Sequence, residues 1–256
     1  LEIDSYVSAA TTEPTPGRLV AVMAPHAGYR YSGPVAGHAF KLLEEMAFES
    51  VAVVSPIHRP PSMAPAFTTA HQAYQTPLGA IPVDHDAIDA LRAAGLTIEA
   101  VRMDAEHSLE IELPFLQRTL EGPFDLVPLM LHDQSAESAE QVGRALASVL
   151  EGRDALLVAS TDLSHFYKQE QANQLDRAVL DRVEAFDPAG VIALETTGDG
   201  FACGRGALAA VMWAARGLGA DAAVVLNYAT SGDTSGDYSR VVGYGAAAFY
   251  RRTQEA

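Results

Sequence analysis

Apolar runs of about eight residues bounded by turn residues recur along the chain and predict buried strands at 18–25, 50–57, 124–131 and 155–160. Two more, at 221–228 and 239–250, close the sequence. Shorter strands near 65–70 and 79–83 flank the turn-like Gln75-Thr76-Pro77-Leu78-Gly79, which predicts a hairpin added to the main sheet. Between the strands, apolar positions at helical spacing predict helices at 34–46, 86–94, 108–120, 138–150, 169–186, 188–195 and 203–216. Gly95 and Gly152 read as helix stops, and Ser138-Ala139-Glu140-Gln141 has the form of a capping box. The alternation of strand and helix predicts an α/β fold, a three-layer α/β/α sandwich around a mostly parallel, mixed sheet. With no repeat and no break in composition, 1–256 reads as a single domain.

Composition narrows the classes. Hydrophobic residues make up 48% of the chain, yet no apolar run reaches the roughly 18–20 residues of a membrane span. The start, Leu1-Glu2-Ile3-Asp4-Ser5-Tyr6, has neither a basic leader nor an apolar signal core and reads as the tail of a helix whose beginning is missing. The one cysteine, Cys203, forms no internal disulfide, which fits a reducing compartment, and the cytoplasm is expected. With 17 Lys and Arg against 33 Asp and Glu, the formal net charge is −16. Such a surface repels phosphate backbones and anionic lipid, so neither nucleic acid nor a membrane is expected as a partner.

The candidate chemistry collects at strand ends. His26 follows the run Leu19 to Pro25, His58 follows Val51 to Ile57, and Asp162-Leu163-Ser164-His165 follows Leu156 to Thr161. Open α/β sheets bind ligands beyond the carboxyl ends of their strands, so these residues are expected to converge on one crevice. For each histidine the alternative is an imidazole merely hydrogen-bonded at a strand end. Cys203 opens the predicted helix 203–216, where the helix N-terminus would favour the thiolate as a metal ligand or nucleophile; an inert packed cysteine is the third reading. Arg205 has the fork to pair a substrate carboxylate or phosphate, and equally the makings of a structural ion pair. Asp162 and His165 read as an acid/base pair or a metal edge. His107 and Glu110 share a helix face, while Glu106 and Glu112 read as compensation for the helix dipole. His132 also ends a strand and is a weaker candidate; His38, His71 and His85 have no partner pattern. Ser160 and Ser164 lack the Gly-x-Ser-x-Gly elbow of a serine nucleophile.

Taken together, Ala24-Pro25-His26-Ala27-Gly28-Tyr29, Tyr31-Ser32-Gly33, Ser55-Pro56-Ile57-His58, Glu106-His107-Ser108-Leu109-Glu110, Ser160-Thr161-Asp162-Leu163-Ser164-His165, Cys203-Gly204-Arg205 and Asn227-Tyr228-Ala229-Thr230-Ser231-Gly232-Asp233 resemble the successive motifs of the Memo family. Its prokaryotic members are called AmmeMemoRadiSam system protein B. The family's usual opening segment is missing, which implies an incomplete N-terminus. The resemblance implies a fold similar to class III extradiol dioxygenases, enzymes that hold Fe(II) with two histidines and a glutamate. His26 and His58 match the two histidine ligands, Cys203 stands where the carboxylate is expected, and His165 matches the acid/base histidine. On this reading the protein is a metal-dependent oxidoreductase holding Fe(II), with copper or zinc as other candidates. Asp162 and His107 assist proton transfer, and Tyr29 and Arg205 orient a small-molecule or peptide substrate. A non-catalytic scaffold using the same pocket and a Cys203 thiol enzyme are the competing readings. The system's name implies a radical SAM enzyme and an AMMECR1-like protein as partners.

Overall fold

The computed structural model describes residues 2–11, 17–103 and 105–253. In chain order the elements are α1 (Glu2–Ala9), β1 (Gly17–Ala24), α2 (Tyr29–Lys41), β2 (Ser50–Pro56), β3 (Ala66–Thr69), β4 (Ala73–Thr76), β5 (Gly79–Pro82), α3 (His85–Ala93) and β6 (Ile98–Val101). A 3-10 turn (Glu110–Glu112) then leads into α4 (Leu113–Thr119), followed by β7 (Asp125–Leu131), α5 (Ala136–Leu150), β8 (Ala155–Ser160), β9 (His165–Tyr167) and α6 (Gln169–Glu184). The chain continues through α7 (Pro188–Thr197), α8 (Arg205–Gly217), β10 (Ala222–Thr230), α9 (Ser231–Ser235) and β11 (Val241–Arg252).

The main sheet runs β10-β11-β1-β8-β2-β7-β3-β6, with β9 joined to β11. Its centre, β1-β8-β2-β7, is parallel, and β10, β11 and β3 enter antiparallel. Successive side chains of a strand point to opposite faces, and here both faces are covered. Ala21 and Met23 of β1 and Ala52 and Val54 of β2 pack into one core with Leu146 of α5 and Leu208 of α8. Val22, Ala24, Val51 and Val53 pack into the other with Phe40 of α2 and Phe115 of α4. Burial on both faces is why these strands read as continuous apolar runs, and the α/β/α sandwich expected from the sequence is the architecture observed. No helix among the described residues is long and apolar enough to cross a membrane.

Several local expectations change. The hairpin is β4 with β5, a separate two-stranded sheet, whereas the strand at 66–69 belongs to the main sheet beside β7 and β6. Helix α2 starts at Tyr29, ahead of the Pro34 expected to open it, because the Gly28 carbonyl already accepts the Tyr31 and Ser32 N–H groups. Helix α5 is capped by Ser135, whose hydroxyl accepts the Ser138 N–H at 3.3 Å, so Ser138 lies inside the first turn and does not cap it.

Beneath the start of β9, the fully buried Asp176 of α6 accepts the Ser164 N–H at 2.8 Å and the Tyr228 hydroxyl at 2.7 Å. Burial raises its pKa despite these bonds. A raised folded-state pKa favours the fold at low pH and penalises it once the carboxyl ionises. Asp176→Asn should therefore raise the urea midpoint at pH 8 and leave it unchanged near pH 3, where the wild-type carboxyl is protonated in both states. Equal midpoints at pH 8 would show that its hydrogen bonds offset the whole cost of burial.

Candidate metal centre

Because β1, β8 and β2 are adjacent and parallel, the segments leaving them emerge at one edge of the sheet, and the strand-end residues meet there. His26 follows β1 and is 1% exposed. Its backbone N–H donates to Asp162 Oδ1 at 2.8 Å, which ties the loop after β1 to the loop after β8. Its Nδ1 lies 2.8 Å from the Ser160 hydroxyl at the end of β8. His58 follows β2, and its Nδ1 lies 3.0 Å from Glu106 Oε1. The same carboxylate accepts the backbone N–H of His58, and Oε1 accepts those of His107 and Ser108, each at 2.9 Å.

His26, His58 and His107 form a cluster in which one ring nitrogen from each lies within 4.8 Å of the others. The His58 and His107 rings stack with centroids 5.4 Å apart, and His26 meets them edge-on at 5.6 and 5.7 Å. Cys203, expected with His26 and His58 as a ligand, touches this group only at His26: its Sγ lies 3.2 Å from His26 Nε2 and accepts the Asp162 N–H at 3.2 Å, while the three-residue cluster is made by His107 in its place. His165 is half-buried, with Nδ1 2.9 Å from the Leu163 carbonyl, and acts electrostatically on both His26 and Asp162. The residue after it, Phe166, is exposed and holds φ at 65°, a left-handed backbone that bulky side chains rarely adopt.

The charges follow from this packing. Burial, with the neighbouring imidazoles of His58 and His107, pulls the His26 pKa down to about 3, so its ring is neutral. The hydrogen bond to Glu106 raises His58 against the opposing effect of burial. Burial would raise Glu106, but the bonds from the His58 ring and from the His58 and Ser108 N–H groups outweigh it and hold the carboxyl well below its ordinary range. Burial pushes Asp162 up.

Cys203 does not behave as its expected helix-start position implied. Helix α8 begins at Arg205 with Gly204 as its cap, so the thiol lies just outside the helix. Burial, reinforced by Asp162, pushes the Cys203 thiol up. Metal-free, it is a neutral S–H facing the neutral His26 ring.

The remaining candidates are placed as follows. The Arg205 guanidinium pairs with Glu195 of α7, and the Tyr29 hydroxyl donates to the Ile111 carbonyl at 3.1 Å. His132 Nδ1 lies 3.2 Å from the Ala64 carbonyl, outside the imidazole cluster. The acidic residues read from the sequence as dipole compensation have other work here: Glu106 orients His58, and Glu112 is fully buried against Ser160. A carboxylate between Ile111 and Leu113, in a stripe that continues to Phe115 and Leu116, was the one sequence signal of a special environment at Glu112.

The fold and the cluster define the class: an α/β/α protein with a histidine-lined crevice at the carboxyl edge of its sheet. The chain belongs to the Memo family, for residues 2–248 match the family described as Memo-like protein. It is 40% identical over 245 residues to a MEMO1 family protein of Methanopyrus kandleri, covering 94% of this chain and 86% of that one. A MEMO1 family protein of Methanothermobacter thermautotrophicus is 39% identical over 233 residues, covering 89% and 83%. The fold is shared with the crystal structure of an uncharacterized protein from Escherichia coli K12, at a TM-score of 0.56 and 15% identity, over 90% of this chain and 99% of that one.

Proposed function

We propose that the protein is a metal-dependent oxidoreductase of the dioxygenase type that binds one divalent transition ion, Fe(II) by preference, in this crevice. The observation that carries the reading is the convergence of His26, His58 and His107 within 4.8 Å, with Nδ1 of His26 and of His58 each engaged by a neighbour. Metal-binding histidines typically have their second nitrogen held in this way, which fixes ring orientation and leaves the other nitrogen for the ion. The donor set fits a borderline ion: imidazoles suit Fe, Zn and Cu, and the adjacent Cys203 sulfur adds a soft donor once it loses its proton. His26, His58 and Cys203 are the donors that the family resemblance selects, and His107 adds a third imidazole.

A bound ion of this kind would polarise a coordinated substrate oxygen and, if redox-active, exchange electrons with it. The chain's own groups supply the rest. His165, with Nδ1 turned to the Leu163 carbonyl, keeps Nε2 for taking or giving a proton, and it interacts electrostatically with the buried Asp162. Asp162 also holds the His26 backbone in register with β8. The likeness to class III extradiol dioxygenases that the Memo-type motifs imply favours the reaction type, and the substrate is a small molecule or peptide able to offer an oxygen.

Anaerobic purification and elemental analysis should find about one transition ion per chain, and His165→Ala should keep that ion while losing any metal-dependent O2 consumption. A wild-type protein that neither retains iron nor takes up Co(II) would overturn the reading.

One contact favours a second reading: Cys203 Sγ at 3.2 Å from His26 Nε2 has the spacing of a thiol and its base. The charges disfavour it, since burial raises the thiol and lowers the imidazole and so leaves a neutral S–H···N pair. Rapid alkylation of Cys203 by iodoacetamide, undiminished by saturating Co(II), would support the thiol enzyme over the metal one.

A further inference from the structure

The peptide unit between Leu163 and Ser164 is held at both ends. Its N–H, on Ser164, donates to Asp176 Oδ1 of α6 at 2.8 Å. Its carbonyl, on Leu163, lies 2.9 Å from His165 Nδ1, and since a carbonyl oxygen only accepts, the ring donates to it. The peptide bond is planar and trans, so its N–H and C=O point in opposite directions and turn together. Whatever fixes the N–H therefore aims the carbonyl, and the carbonyl aims the ring.

The hold on the N–H is built into the fold. Leu163, Ser164 and Asp176 are all 0% exposed, so solvent does not reach in to replace the carboxyl, and a Ser164 N–H without it would be buried and unpaired. The Tyr228 hydroxyl fixes the other carboxyl oxygen, donating to Asp176 Oδ2 at 2.7 Å. The carboxyl also lies directly on the backbone of β11: a Cβ at Gly243 would be 1.9 Å from Oδ2 and 2.5 Å from Cγ, an approach that only glycine permits. Gly243 clasps the same stretch, donating its N–H to the Ser164 carbonyl at 2.9 Å and accepting the Leu163 N–H at 2.9 Å. Those two bonds hold the segment against β11 but leave the Ser164 N–H to Asp176. The His165 ring itself is half-buried, so packing alone leaves it room to turn.

We propose that Asp176 is a positioning residue: its carboxyl locks the Leu163–Ser164 peptide and, through that peptide's carbonyl, sets the direction of the His165 ring. Hydrogen bonds in a chain polarise one another, so the acceptor on the N–H also makes the Leu163 carbonyl a better partner for Nδ1. The purpose of the linkage rests on the reading of His165 as the acid/base group of the metal site, but the linkage itself is a property of the metal-free chain.

The test is nitrogen-15 NMR of metal-free protein at about pH 9, where imidazoles are neutral, with Co(II) titration and O2 consumption measured beside it. Wild type should carry the His165 proton on Nδ1 and show Ser164 among the slowly exchanging amides. Asp176→Asn, which keeps an acceptor oxygen, should match it in both. Asp176→Leu should speed Ser164 exchange about 10–100-fold, the loss of a hydrogen bond to a carboxylate, and mix the two His165 tautomers. It should leave Co(II) affinity unchanged while any metal-dependent O2 consumption falls about tenfold or more. A wild-type His165 with its proton on Nε2 would overturn the proposal, as would a folded Asp176→Leu with the wild-type tautomer, or equal loss of the tautomer in Asp176→Asn and Asp176→Leu. If Asp176→Leu does not fold, Tyr228→Phe reads the same linkage by removing one of the two bonds on the carboxyl. It should speed Ser164 exchange and shift the His165 Nδ1 resonance, and the absence of either change would sink the idea. If the NMR results hold and wild type takes up no Co(II), the metal reading fails while the assignment of Asp176 stands.

Discussion

His26→Ala is expected to weaken Co(II) binding by more than about 100-fold, beyond the loss that follows from removing a group that only orients a ligand. His26 is the member of the cluster that every other part touches: Ser160 holds its Nδ1, Asp162 holds its backbone, Cys203 faces its Nε2, and the His58 and His107 rings pack edge-on against it. Its burial makes it neutral, so an ion does not have to displace the second proton of an imidazolium at physiological pH. Glu106→Ala gives the scale, since it leaves all three imidazoles and removes the acceptor that orients His58 and holds the backbone of His107 and Ser108; it should weaken binding about 10–100-fold. Titration followed by the Co(II) absorption bands, with circular dichroism to confirm folding, separates the two. If His26→Ala costs no more than Glu106→Ala, then His26 is not a ligand.

Gly143→Val is expected to destabilise the fold by about 3 kcal/mol, the upper end of the usual range for overpacking. Gly143 lies where α5 crosses α8, and a Cβ there would sit 2.4 Å from Trp213 Cβ, 2.7 Å from the Ala210 carbonyl oxygen and 3.1 Å from the Ala214 nitrogen. Two of these are backbone atoms and the third is fixed to the backbone, so no rotamer change relieves the contact. The same pair of helices meets again at Gly217, where a Cβ would lie 2.5 Å from Ala147 Cβ. The two helices must separate, taking Leu146 and Leu208 out of the core they share over the sheet. Urea unfolding at neutral pH measures the loss; a change under about 0.5 kcal/mol would mean that the interface yields more easily than close-packed interiors do.

The central strands were legible because burial on both faces makes their middles continuously apolar, with polar residues only toward their ends. Strands β6 and β9 were not: β6 is four residues long with Glu99 and Ala100 exposed, and β9 is His165-Phe166-Tyr167, whose strand partner is β11. Neither carries a pattern of its own, because tertiary pairing decides it. The site divides in the same way. His26 and His58 stood out because each ends an apolar run. Glu106, Ser160 and Glu112 did not, since each takes its meaning from a partner that only the fold brings near: Glu106 lies 48 residues from His58, Ser160 lies 134 from His26, and Glu112 lies 48 from Ser160. Cys203 was found from its singularity, but its protonation depends on enclosure, which a helix-start argument does not contain.

The sheet order has a consequence for how the chain comes to possess its site during synthesis. Strand β1 lies between β8 and β11, so it has no neighbour in the sheet until the much later β8 has been made. The clasp between the His26 backbone and Asp162 spans 136 residues, and the contact between Cys203 and His26 spans 177. Closing such loops precedes any reward from the contacts they permit, which makes this topology a slow and late one to assemble. The contacts that join His26 to Asp162 and Cys203 therefore form late, so an ion held at the proposed site would be enclosed only once the sheet has closed around it.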